Sequence, residues 1–172
     1  QPKTINDTIS PRIKDNDIVI EELNMSDEEI QEITKIHIVA CGSAYHTGVT
    51  AKYVIEGLAR IPVEVDVASE FRYRDPILQK GNMVIVISQS GETADMLAAL
   101  RESKEKGFKV LGIVNVVGSS IAREADSVMY TWAGPEIAVA TTKAYSAQLT
   151  ALYMLAMKFA KVRGTIDQEK FQ

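Results

Sequence analysis

The segment Met83–Ile87 limits the possible folds more than any other part of the chain. Five consecutive apolar residues, four of them β-branched, run straight into Ser88-Gln89-Ser90-Gly91. A strand with one wet face alternates polar and apolar residues. This one does not alternate, so it is predicted to be a central parallel strand covered on both faces. Val110–Val114 repeats the signature.

A parallel sheet needs crossover connections, and the remaining sequence supplies them. Ile36–Ala40 is a short β-branched run that stops at Cys41-Gly42-Ser43. A helical stretch follows to about Leu58, with Val49, Tyr53, Val54, Gly57 and Leu58 on one face. Pro62 opens Val63–Val67, which alternates as a strand with one solvated face does. Further helices are predicted from about Thr93 to Lys106, closed by Gly107, from Ser119 to Ala125, and from Thr142 to Arg163, closed by Gly164. Val128–Thr131 reads as the last strand. Upstream, Gln1–Asn24 is polar and carries Pro2 and Pro11, so it reads as a lead-in arm rather than core. Ser26 and Glu29 have capping-box spacing, which predicts a short helix to about Thr34. The pattern is that of right-handed βαβ units, giving a three-layer, doubly wound α/β fold on a five-stranded parallel sheet. Ligands of such folds sit beyond the carboxyl ends of the strands.

Composition narrows the partners. With 172 residues the chain is of single-domain size, and one cysteine, Cys41, rules out an internal disulfide framework and fits a reducing cytosol. Two histidines leave little for a zinc site. The apolar stretch Ala144–Val162 is broken by Gln148, Lys158 and Lys161, and no membrane span is expected. A net charge of −4 leaves no basic footprint for nucleic acid, so an anionic ligand has to be held by local geometry. The first residue is Gln1 rather than Met, the mark of a processed chain or of a piece of something longer.

Ser88-Gln89-Ser90-Gly91-Glu92-Thr93 offers that geometry. It leaves a buried strand and enters a helix, so unpaired N–H groups, three hydroxyls and a glycine meet at the positive end of a helix dipole. These make a neutral phosphate cradle; the competing reading is ordinary N-capping. Cys41-Gly42-Ser43-Ala44 has the same setting and would offer the Ser43 hydroxyl and the Ala44 N–H. Cys41 itself reads as a buried, inert thiol, because no base or cation stands beside it in the sequence. Gly118-Ser119-Ser120 reads as a plain cap. Glu136–Lys143 either closes over a ligand with Val139 and Thr141, or is a connector in which Thr142 caps the helix. His37 is read as structural and His46 as a surface group. Glu70–Asp75 is read as a charged loop, either a contact to another domain or a solvated turn.

Ile38–Tyr45, Ala68–Arg74, Ser88–Asp95 and Glu136–Ala144, taken together and in this order, resemble the glutamine:fructose-6-phosphate aminotransferases, or glucosamine-6-phosphate synthases. That resemblance implies a sugar-isomerase (SIS) domain with flavodoxin-like strand order, the first of two in the isomerase half. Residues 1–34 would be an arm and short helix, 35–165 the SIS domain, and 166–172 the start of a linker to a second SIS domain. Ser88, Gln89, Ser90 and Thr93 would hold the sugar's phosphate, while Cys41, Gly42, Ser43, the Ala44 backbone and Val139 would line the sugar. Two departures stand out: Cys-Gly-Ser-Ala replaces the family's usual Cys-Gly-Thr-Ser, and Met96 replaces a usual threonine at a position not expected to touch ligand.

The whole enzyme transfers ammonia from glutamine to fructose 6-phosphate and isomerises the product to glucosamine 6-phosphate for amino-sugar synthesis. Its glutaminase cysteine, general-base glutamate, Schiff-base lysine and ring-opening histidine have no counterparts here, so no catalytic residue is assigned. The resemblance further implies a cytoplasmic homodimer needing no metal or organic cofactor, whose partners are the glutaminase and second SIS domains rather than nucleic acid or membrane. Two alternatives are a stand-alone SIS isomerase or deglycase that borrows a base across a subunit interface, and a regulatory sugar-phosphate sensor.

Overall fold

The sheet is built by alternation of strand and helix along the chain. In the computed structural model, which describes residues 1–137 and 141–167, the chain begins with α1 (Pro2–Ile9), the two-residue strands β1 (Ile13–Lys14) and β2 (Asp17–Ile18), and α2 (Asp27–Gln31). Then follow β3 (Lys35–Ala40), α3 (Gly42–Leu58), β4 (Val63–Val67), α4 (Ala68–Tyr73) and β5 (Asn82–Ser88). The last part holds α5 (Ala94–Glu105), β6 (Lys109–Val114), α6 (Ser120–Glu124), β7 (Ser127–Tyr130) and α7 (Lys143–Arg163).

Five strands form one parallel sheet in the order β4-β3-β5-β6-β7. Counted among themselves this is the order 2-1-3-4-5, with its switch point between β3 and β5. Successive side chains feed opposite layers. Ile36, Ile38, Met83, Ile85 and Ile87 pack with residues of α3 and α7, such as Ile55, Leu152, Leu155 and Phe159. Val39, Val84 and Val86 pack with Phe71 of α4 and with Met96 and Leu100 of α5. Each fully buried Ile, Val or Phe contributes roughly 1.5–3 kcal/mol, which is why the continuous apolar runs had to become central strands.

The sequence pattern mispredicts the fold in three places. The buried face of α3 is Ala44, Thr47, Gly48, Ala51 and Ile55, whereas Tyr53, placed on the expected face, is 72% exposed. Closeness selected that face: a Cβ on Gly48 would lie 2.9 Å from Ile38 Cγ2, so only small residues let the helix ride this low on the sheet. The arm is not a loose lead-in. Its Thr8 and Arg12 are buried, Ile18, Ile20 and Leu23 join the main core, and α1 packs on α7. The charged stretch Glu70–Asp75 is not a loop at its start, because Phe71, fully buried, anchors α4 there.

Helix ends follow their local chemistry. The Ser26–Glu29 capping box forms in both directions, and Gly164, at φ +65°, stops α7 in the left-handed region. Among the described residues no helix is long and apolar enough to cross a membrane.

Candidate functional site

The switch point between β3 and β5 opens into a cavity of about 180 Å³. Its walls are Cys41, Ser43 and Ala44 after β3, Ile87 and Ser88 at the end of β5, Gln89, Ser90 and Thr93 after it, Met96 of α5 and Gln148 of α7. Seven of the nine residues singled out in the sequence therefore meet in one place: Cys41, Ser43, Ala44, Ser88, Gln89, Ser90 and Thr93. Gly42 shapes the turn with φ +58° but is not part of the wall. Val139 lies outside the described residues. Met96, expected to stand clear of any ligand, lines the cavity, because the first turn of α5 points it inward, 1% exposed, beside the loop. Gln148 went unnoticed in the sequence except as an interruption of an apolar run.

The walls carry no charged side chain among the described residues. An anion here must be met by neutral donors, and the geometry keeps them free. Neither α3 nor α5 has a side-chain cap: Thr93, at the N-cap of α5, makes no capping bond, nor does Cys41 before α3. The N-terminal amides of both helices are thus left for something other than capping, which disfavours the plain-cap reading of this loop. The loop holds its own shape by accepting bonds. Ser88 Oγ accepts from Gly91 N–H at 3.0 Å and Ser90 Oγ from Glu92 N–H at 3.3 Å, leaving each hydroxyl proton to point elsewhere.

A second loop secures it from behind. The Glu92 carboxylate accepts from Ser120 N–H at 2.8 Å and from Ser120 Oγ–H at 2.7 Å, and these bonds hold its pKa below the usual carboxylate range. Gly91 carbonyl accepts from Ile121 N–H at 3.0 Å and Gln89 carbonyl from Asn115 N–H at 3.3 Å. Ser119 is not the expected cap of α6. Its hydroxyl is buried without a partner against Gly91, and Glu92 takes over the helix start. Thr142 likewise does not cap α7 with its side chain; Glu136 Oε2 accepts from Ala144 N–H and Thr141 Oγ1 from Tyr145 N–H, each at 3.2 Å.

Cys41 is half-buried and faces the cavity rather than being sealed, and among the described residues no histidine, lysine or arginine shares that wall to activate it as a nucleophile. His46 is exposed beside Tyr45. Three charges of Glu70–Asp75 are paired within the chain: Arg72 meets Asp95 at 3.3 Å, Arg74 meets Asp66 at 2.7 Å, and Lys106 meets Asp75 at 2.5 Å.

One set of metal-type donors exists among the described residues, His37, Glu64 and Asp66, away from the cavity. Arg74 already donates to Glu64 at 2.6 Å and to Asp66 at 2.7 Å, and Lys35 to Glu64 at 2.5 Å. Two acids faced by two bases attract no cation. A larger cavity, about 740 Å³, meets the smaller one at Gln89 and is walled by Asp7, Pro11, Val116, Trp132 and neighbours. Its one charged group is a carboxylate, which makes it a poor place for an anion.

Known proteins share this architecture. Residues 29–158 match the SIS domain family model. The chain is 60% identical, over its whole length, to glutamine–fructose-6-phosphate aminotransferase (isomerizing) of Clostridium tetani, and 61% identical over 99% of its length to that of Caldanaerobacter subterraneus subsp. tengcongensis. It spans 28% of the length of either relative. Among solved structures, the C-terminal domain of glucosamine-fructose-6-phosphate aminotransferase from Francisella tularensis superposes with a TM-score of 0.93 at 41% identity, covering 99% of this chain and 48% of that one.

Proposed function

The chain belongs to the SIS domain family, and we propose on that footing that it is the sugar-phosphate-holding unit of a glutamine:fructose-6-phosphate aminotransferase. The observation that carries this reading is the uncharged cavity at the β3/β5 switch point, where two uncapped helix starts converge with the hydroxyls of Ser43, Ser88, Ser90 and Thr93.

A phosphate seated there takes N–H donors from the start of α5 and hydroxyl donors from Ser90 and Thr93, with Gln89 beside them. The sugar then lies toward Cys41, Ser43 and the Ala44 N–H. Moving a proton between adjacent sugar carbons needs a carboxylate base. None lines the cavity among the described residues, which suits a unit that binds and orients while other domains act. On this reading 35–165 is the SIS domain, 166–172 begins a linker, and a glutaminase domain and a second SIS domain complete the enzyme.

The test is a calorimetric titration of the chain with fructose 6-phosphate, with free fructose, and with fructose 6-phosphate against Ser90→Ala. Binding is expected to require the phosphate, and Ser90→Ala to weaken it about tenfold through one lost charge-assisted hydrogen bond. Equal binding of free fructose, or an indifferent Ser90→Ala, overturns the reading.

A further inference from the structure

We infer that Gln148 is a further positioning contact for the ligand, one that reads a sugar hydroxyl through its carboxamide; the inference rests on the sugar-phosphate reading above. Gln148 lies on α7, between Ala147 and Ala151 on the buried side of the helix, and is 3% exposed. It lines the switch-point cavity. No hydrogen bond joins its side chain to another described residue, and holding a carboxamide on an otherwise apolar buried helix face costs free energy unless a polar group meets it. An apolar residue would fill the same place on an apolar helix face without that cost. The amide is explained if the cavity's occupant completes it.

Its chemistry selects which part of the occupant it meets. Phosphate oxygens only accept hydrogen bonds, and the loop after β5 and the start of α5 already supply donors to them. A carboxamide both donates and accepts, and a hydroxyl is the group that uses both capacities. Gln148 also comes from neither phosphate-side loop, so it adds a wall to the site that the loops lack.

The experiment titrates the chain and its Gln148→Met and Gln148→Ala variants with fructose 6-phosphate and, separately, with inorganic phosphate, and records thermal melts of the free proteins. Gln148→Met is expected to weaken fructose 6-phosphate about three- to tenfold while leaving inorganic phosphate unchanged. Its melting temperature should equal or exceed that of the unaltered chain, since a carboxamide has left an apolar helix face. Gln148→Ala should show the same ligand selectivity with a lower melting temperature from lost packing. Unchanged sugar-phosphate affinity, equal weakening of both probes, or a destabilised Gln148→Met overturns the inference. If the unaltered chain binds neither probe, or if Ser90→Ala affects neither, the sugar-phosphate reading fails and takes this one with it.

Discussion

His37 occupies a strand position flanked by isoleucines, 1% exposed, with its ring edge toward Phe71 at 6.5 Å. Its Nε2 meets Asn82 Oδ1 at 3.3 Å, an oxygen that also accepts from Gln79 N–H, so the ring proton sits on Nε2 and Nδ1 is left without a partner. Burial first, then the nearby Lys35 ammonium, push the imidazolium pKa below its usual 6.5, against weaker opposing pulls from Asn82, Glu64 and Asp66. The unfolded chain therefore takes up a proton at a pH where the folded chain does not. The neutral ring's contribution is complete above about pH 6.5 and falls away as the solution is acidified through that value. Urea unfolding at pH 7.5 and pH 5.5 should show a larger loss for the unaltered chain than for His37→Gln; equal losses would remove His37 from the acid sensitivity. Its structural role was legible because a strand position between isoleucines implies burial. Met96 and Gln148 were not legible, since their place in the cavity depends on how α5 and α7 sit over the sheet, which no local spacing encodes.

At the scale of elements, the loop after β5 is fixed by how closely it approaches the start of α6. Gly91 has φ +70°, and a Cβ there would fall 2.1 Å from Ser119 Oγ and 2.6 Å from Ser119 Cβ. Gly91→Ala combines left-handed backbone strain with that overlap, and should cost about 2 kcal/mol or more and displace the loop. A lowered melting temperature together with lost sugar-phosphate affinity is the expected result. Adding Ser119→Gly should recover the part due to overlap but not the part due to φ; a Gly91→Ala variant as stable as the unaltered chain would contradict the packing described. Central strands were readable in advance because burial on both faces leaves only apolar residues. The loop was readable because glycine and hydroxyls at a strand end are local features. The helix α4 was hidden because four charged or polar side chains, Ser69, Glu70, Arg72 and Tyr73, accompany its one large buried side chain, Phe71, and the buried face of α3 was hidden because steric fit, not hydrophobicity, chose it.

For the molecule as a whole, the surprise is the first 24 residues. Their apolar side chains are too sparse to announce a core, and much of what buries them comes from α7 and β7, more than a hundred positions away. Arg12, 1% exposed, donates to Glu22 Oε1 at 2.7 Å, to the Thr8 carbonyl at 2.7 Å and to the Tyr130 carbonyl at 2.9 Å. Arg12→Ala strands those carbonyls and leaves Glu22 without its cation, and should cost about 2–3 kcal/mol. Limited proteolysis should then cut within residues 1–24 well before the sheet domain; resistance equal to that of the unaltered chain would show that the arm is held by its apolar contacts alone.

The same arm shields β7, which pairs with β6 on one side only. Arg12 takes the Tyr130 carbonyl at the end of that strand, Thr8 takes the Thr131 carbonyl just beyond it, and Ser127 donates to the Leu23 carbonyl. Bare strand margins invite foreign chains to add on and grow into aggregates. The opening residues thus serve the sheet as a built-in guard against self-association, and a chain trimmed of them would expose that margin together with the core surface that Ile18, Ile20 and Leu23 cover.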